Sequence, residues 1–339
     1  MLKTLKTLCL LNGVSGSEDE VRDYIISRVK KHADDFTTDA LGNLIVSKKG
    51  EKTPDKQIVL CAHMDEVGII ITSITDDGYL KFAKAGSIDG RVMLGKTVRI
   101  GKKKVQGIIG CKAIHLVKMK DREKPMNSED MYIDIGVQNR KEAEKLISPG
   151  DAGAFDEDVK EFGAGYIKAK AIDDRFGCAL LIELIESKLP IDCTFAFTVQ
   201  EEVGLRGAYT AAYSTKPDIA LIIEGTTAAD LPSVPENKKV CKVGDGPVIP
   251  FMDNATIYNK EIHGILTDLA DKNNIPWQTK TYIAGGTDAS AFQRTRSGIK
   301  TAGIAAPIRN LHSPACVGKI SDMEAVLKLV VKFLEKMGE

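Results

Sequence analysis

Apolar residues recur in two rhythms along this 339-residue chain. Near the N-terminus they fall at helical spacing, which predicts helices over residues 2–11 and 18–31. Ser17 is the expected N-cap, with Glu20 three residues on completing a capping box. Short apolar and β-branched runs at 44–47 and 57–62 then predict strands, separated by a Lys/Gly/Pro turn. From about residue 68 to 164 the rhythm tightens. Strand-like runs at 68–74, 79–83, 97–100, 105–109 and 131–135 are punctuated by Gly and Asp, as in a small β-barrel or sandwich. A charged loop is expected over 118–129.

From about residue 165 the longer alternation returns. Helices are expected over 174–187, 259–272 and 288–293, and strands over 193–200, 218–224, 277–282 and 301–305. Ser321 is expected to cap a last helix reaching about residue 337. Strands alternating with helices predict an α/β fold, a mainly parallel sheet sandwiched by helices. The simplest organisation is an α/β domain of residues 1–67 and 165–339 interrupted by a β-rich, barrel-like insertion of residues 68–164.

Composition narrows the function classes. Lys+Arg and Asp+Glu both number 47, so net charge is zero, and the electrostatic case for nucleic acid or an anionic membrane falls away. Seven cysteines are scattered without a CxxC pair, which indicates neither a disulfide framework nor a cysteine zinc site. Reduced thiols packed in apolar runs fit the cytoplasm. No secretion signal or run of about 18 apolar residues is read, so no membrane span is expected.

The chemistry is carried by acids and imidazoles at predicted strand ends and in loops. Glu201 and Glu202 follow the apolar run 193–199, and two adjacent carboxylates there need strong partners, of which a bound cation is the strongest. His63 and Asp65 follow the run 58–62. Residues i and i+2 of a strand share a face, so Asp65 can hold the His63 ring, as carboxylates do at metal histidines; a surface turn is the other reading. Asp173 and Asp174 open a helix, where acids suit the dipole or one can bridge two cations. Glu224 ends a predicted strand and is either an exposed acid or a ligand. His312 is either a surface loop residue or a ligand. Only five histidines exist, and His32, His115 and His263 read as structural.

As a set these residues describe a two-metal hydrolase. Asp173 bridges, His63 and Glu224 hold one ion, and Glu202 and His312 hold the other. Glu201 is left as a spare general base. A glycosidase needs two carboxyls flanking a sugar bond and no histidine pair, and one Trp is a poor sugar platform, so an endoglucanase is disfavoured. A non-catalytic metal-binding assembly protein would have no use for Glu201.

At these residues the chain resembles the metallopeptidase family 42 aminopeptidases, the TET and glutamyl aminopeptidase type often labelled cellulase M. The resemblance runs through Gly13 to Glu18, Asp39 to Leu44, Ala62 to Gly68, Ala171 to Arg175, Gln200 to Ala208, Gly285 to Ala289 and His312 to Pro314. It implies a dinuclear-zinc exopeptidase-like catalytic domain with a β-rich dimerisation domain inserted after the His-x-Asp motif. It also implies large homo-oligomers, often dodecamers, and two divalent ions per subunit, zinc or cobalt. The substrates it implies are short peptides with a free N-terminus. By resemblance His63, Asp173, Glu202, Glu224 and His312 are the ligands, Glu201 the general base and Asp65 the partner of His63. Two positions depart from the pattern: many relatives have Asp where this chain has Glu224, and an acid where it has Cys316. An N-acyl amino-acid deacylase or other amidohydrolase on the same centre is the alternative activity.

Overall fold

The computed structural model describes residues 1–122 and 126–339. Three strands come first: β1 (Asp35–Thr38), β2 (Leu44–Lys48) and β3 (Ile58–His63). The chain then builds β4 (Gly68–Ile74), β5 (Leu80–Ala85), β6 (Thr97–Ile100), β7 (Val105–Cys111), β8 (Met131–Asp134) and β9 (Ala152–Phe155). These close into a barrel in the order β4-β5-β8-β7-β6-β9. The remaining strands are β10 (Lys160–Phe162), β11 (Tyr166–Ala169), β12 (Cys193–Thr198), β13 (Ile219–Thr227), β14 (Lys300–Arg309) and β15 (Cys316–Lys319).

They join the first three in a nine-stranded sheet, ordered β1-β2-β12-β3-β13-β14-β15-β11-β10. β12, β3, β13 and β14 run parallel. The strands on either side pair antiparallel. The helices are α1 (Leu2–Leu10), α2 (Asp19–Val29), α3 (Arg140–Glu144), α4 (Ile172–Glu186), α5 (Arg206–Thr215), α6 (Lys260–Lys272), α7 (Ala289–Arg294) and α8 (Ile320–Met337).

The central strands read as unbroken apolar runs because both their faces are covered. Leu60, Phe195, Phe197, Leu221 and Ile304 pack on one side with Phe176 and Leu180 of α4 and Phe333 of α8. Val59, Cys61, Ala196 and Ile222 face the other way, against Ala208 and Ala212 of α5 and Phe292 of α7. The barrel has its own core, including Ile69, Leu80, Phe82, Val98, Ile133 and Phe155. The α/β class with a parallel centre and a β-barrel is thus as the patterning predicts. None of the described helices is long and apolar enough to cross a membrane.

Several elements differ from the expectation. The α2 helix starts at Asp19 without a side-chain cap, because Glu18 accepts instead from the backbone N–H groups of Gly16 and Gln200. Ser321 lies inside α8, whose N-cap is Lys319. Residues 277–282 form no strand; following Pro276, only Gln278 makes an isolated bridge, to Val248. Glu224 does not end its strand, since β13 continues to Thr227. The charged loop contains single turns at Met119–Asp121 and Ser128–Asp130, and its residues 123–125 lie outside the described residues.

A buried ion network ties the N-terminal helices to the sheet. Glu66 accepts from Lys170 Nζ at 2.6 and 2.7 Å, from Arg175 Nη2 at 3.2 Å and from the Gly13 N–H at 3.1 Å. Lys170 also donates to the Leu11 main-chain oxygen and Arg175 to that of Leu8. Glu66→Ala strands two buried cations, and the expected cost is about 3–5 kcal/mol, read from urea unfolding midpoints.

Candidate metal centre

Open α/β sheets bind ligands outside the carboxyl ends of their strands, and the predicted chemistry gathers there. His63 is the last residue of β3, and Glu201 and Glu202 follow β12. Glu224 projects from β13, and His312 follows β14 with φ +56°. Asp173 sits at the start of α4, where it and Asp174 have non-helical torsions before the regular turns begin.

All five candidate ligands converge. His63 Nε2 lies 3.5 Å from Glu224 Oε1 and 3.7 Å from Asp173 Oδ1. His312 Nε2 lies 3.2 Å from Glu202 Oε2 and 3.9 Å from Asp173 Oδ2. The two Asp173 oxygens therefore face one imidazole each. His63, Asp173 and Glu202 offer atoms within 4.8 Å of one another, as do His63, Glu201 and Glu224. Glu201 thus borders the cluster from the side of His63 and Glu224.

Asp65 organises the surroundings. Its carboxylate accepts from the Ser15 hydroxyl at 2.6 Å and from the N–H groups of Glu201 at 2.9 Å and Glu202 at 3.1 Å. Asp65 Oδ1 is 3.4 Å from His63 Nδ1, which also lies 3.1 Å from the Asp65 main-chain oxygen. One carboxylate thereby braces the ring and fastens the loop carrying both glutamates. Burial opposes ionisation of Asp65, but His63, Ser15 and the backbone donors outweigh it and hold the carboxyl below its usual range. Asp65→Ala is expected to cost about 10–100-fold in activity or metal affinity, measured by peptide hydrolysis and metal content of the purified variant.

Gly225 permits the approach of Asp173. Its N–H donates to Asp173 Oδ1 at 2.9 Å, and a Cβ there would stand 2.7 Å from that oxygen. No charge or periodicity marked this glycine in the sequence. Asp288 lies within the Gly285 to Ala289 motif. Its Oδ2 accepts from the Thr198 hydroxyl at 2.6 Å, beneath the centre, and burial raises its carboxyl to about 6.

The residues fit a cation. His63 Nε2 and Glu224 Oε2 are buried without a hydrogen-bond partner among the described residues. Burial pushes the carboxyls of Glu201, Glu202 and Glu224 well above the usual range, and neighbouring acids add to the shift. Burial works against charge on His63, yet the carboxylates of Asp173 and Asp65 raise its pKa well above the ordinary value. Divalent ions compete with protons for crowded carboxylate and imidazole donors of this kind. Imidazole and carboxylate donors suit such ions.

The sequence profile described as M42 glutamyl aminopeptidase matches residues 42–329. The chain belongs to the M42 glutamyl aminopeptidase family. Lysyl aminopeptidase of Pyrococcus furiosus is 29% identical over 333 residues, covering 96% of this chain and 94% of that protein. Glutamyl aminopeptidase of Lactococcus lactis is 29% identical over 352 residues, covering 99% and 97%. The structure of Pyrococcus horikoshii TET1 peptidase, which assembles into a tetrahedron or a large octahedral shell, superposes with a TM-score of 0.86. It is 37% identical to this chain, with 98% of each chain covered. This M42 chain is accordingly a metal-dependent aminopeptidase, a hydrolase of peptide bonds, and the deacylase alternative is not favoured.

Proposed function

We propose that this M42 aminopeptidase removes residues from short peptides with a free N-terminus at the centre between His63 and His312. The observation that carries the reading is the convergence of five donors around Asp173, with buried imidazole and carboxylate atoms lacking partners. His63 and Glu224 would hold one ion, Glu202 and His312 the other, and Asp173 both. Zinc or cobalt is the proposed metal. When bound, two such ions polarise the scissile carbonyl and acidify the attacking water.

The chain's own residues complete the reaction. Glu201 takes the proton of the attacking water and returns it to the leaving amine, as a general base and then acid. Asp65 keeps the His63 ring oriented and the Glu201 loop in register. A free carboxylate beside the cluster suits this work, because a carboxylate committed to a metal cannot readily shuttle a proton.

The catalytic unit is proposed to comprise residues 1–67 and 165–339, and residues 68–164 a dimerisation unit. Self-assembly, as a dodecamer, in the cytoplasm completes the reading; the shells formed by the TET1 peptidase support assembly. The test compares a peptide with its N-acetylated form in the presence of zinc or cobalt. The free peptide is expected to lose its first residue and the blocked peptide to remain whole. Equal cleavage of both would overturn the aminopeptidase reading in favour of another amidohydrolase.

A further inference from the structure

Three consecutive N–H groups beyond β12 are each held by a carboxylate from elsewhere in the chain. Those of Glu201 and Glu202 go to Asp65. The one before them, on Gln200, donates at 3.1 Å to Glu18 Oε1, 182 residues away in sequence. Glu18 is 4% exposed, and the same oxygen accepts from the Gly16 N–H at 2.7 Å. Its main-chain oxygen meanwhile accepts from Val21 and Arg22 at the start of α2. One residue therefore joins a helix to the segment that carries Glu201 and Glu202.

The junction matters because Gln200 is strained. Its φ is +56°, in the left-handed region where a Cβ crowds the backbone. Such a conformation persists only where the surroundings fix it. The Gln200 main-chain oxygen accepts from the Arg206 N–H at 3.2 Å, and Glu18 takes the Gln200 N–H. The bend held between them turns the chain out of β12, and Glu201 comes to border His63 and Glu224. Without Glu18 the Gln200 peptide is free to relax toward an extended conformation and to carry Glu201 with it. Burial raises the Glu18 carboxyl to about 7, against the pull of both N–H donors, and the Asp65 charge adds to the rise. At neutral pH the contact therefore does not depend on a full negative charge.

Resting on the proposed role of Glu201, we infer that Glu18 is a positioning residue for the reaction: by accepting the Gln200 N–H it holds the bend that aims Glu201 at the attacking water. It acts through Gln200, as a fixed group on a rigid helix supporting a mobile one.

The experiment compares Glu18→Gln, Glu18→Asp and Glu18→Ala, each loaded with zinc, on one peptide with a free N-terminus. Glutamine keeps the reach and an acceptor oxygen but loses the charge, whereas aspartate keeps the charge and falls one methylene short. Glu18→Gln is expected to keep kcat within about threefold of wild type, while Glu18→Asp and Glu18→Ala lose about 10–100-fold, as misplacement of a reacting group does. KM should move less than about threefold, because the lost interaction bears on the transition state. Metal content is expected to stay at the wild-type level, since Asp65 still holds the Glu202 N–H. A purely structural role would lower the melting temperature and leave kcat of the folded, metal-loaded protein unchanged; that result overturns the inference. So does the reverse ranking, with Glu18→Asp active and Glu18→Gln slow. The two polar variants carry the test if Glu18→Ala does not fold. Wild-type turnover by Glu201→Gln, assayed alongside, would instead overturn the proposed general base beneath the inference.

Discussion

Glu201→Gln is expected to bind metal and fold as the parent does, yet hydrolyse peptides about 10²–10⁴-fold more slowly, the usual share of general acid–base catalysis. Glutamine keeps the volume and the acceptor oxygen of Glu201 but cannot carry the proton. The anchors of this segment do not involve the side chain: the Glu201 and Glu202 N–H groups go to Asp65. Geometry is therefore preserved and only the proton transfer is lost. Glu202→Gln is the informative contrast. It removes a charged donor 3.2 Å from His312, so it should lower metal content as well as rate. Wild-type turnover by Glu201→Gln with full metal occupancy would falsify the role of the general base.

Exhaustive chelation is expected to abolish hydrolysis, with zinc or cobalt restoring it. It should also lower the melting temperature, because an ion that binds only the native protein stabilises it by mass action, about 2.7 kcal/mol at a hundredfold excess over Kd. The pH dependence follows from the buried acids. In the metal-free fold, burial raises the carboxyls of Glu202 and Glu224. A group whose folded-state pKa is raised contributes stability that is fully present below its unfolded value and is lost as pH climbs through the folded value. His63, also raised, acts in the same direction. The metal-free protein thus weakens from acid toward neutral pH, while the ions need deprotonated ligands and bind better there. The melting-temperature gain on adding zinc should be larger at about pH 8 than at about pH 5.5. Activity that survives complete metal removal would end the metal-dependent mechanism.

Much of the site was legible because each donor is placed by something local. An apolar run that stops at His63, or just before Glu201, announces a buried strand whose next residue must meet polar surroundings. Asp173 announced itself less clearly, since acids at a helix start have an ordinary electrostatic reason to be there. What the sequence withheld were features created by approach in space. Gly225 matters through the oxygen facing it, and Glu18 fails to cap conventionally because Gln200, distant in sequence, claims its carboxylate. The edge strands β1 and β10 have exposed residues throughout, so no apolar signal marked them.

The donors are strung out from His63 to His312, with the whole barrel and most of the sheet between them. A ribosome must therefore deliver β14 and the turn beyond it before the last imidazole can reach Asp173. Until then the emerging polypeptide holds only part of the proposed donor set. On the proposed assignment, hydrolysis must wait until that turn has emerged.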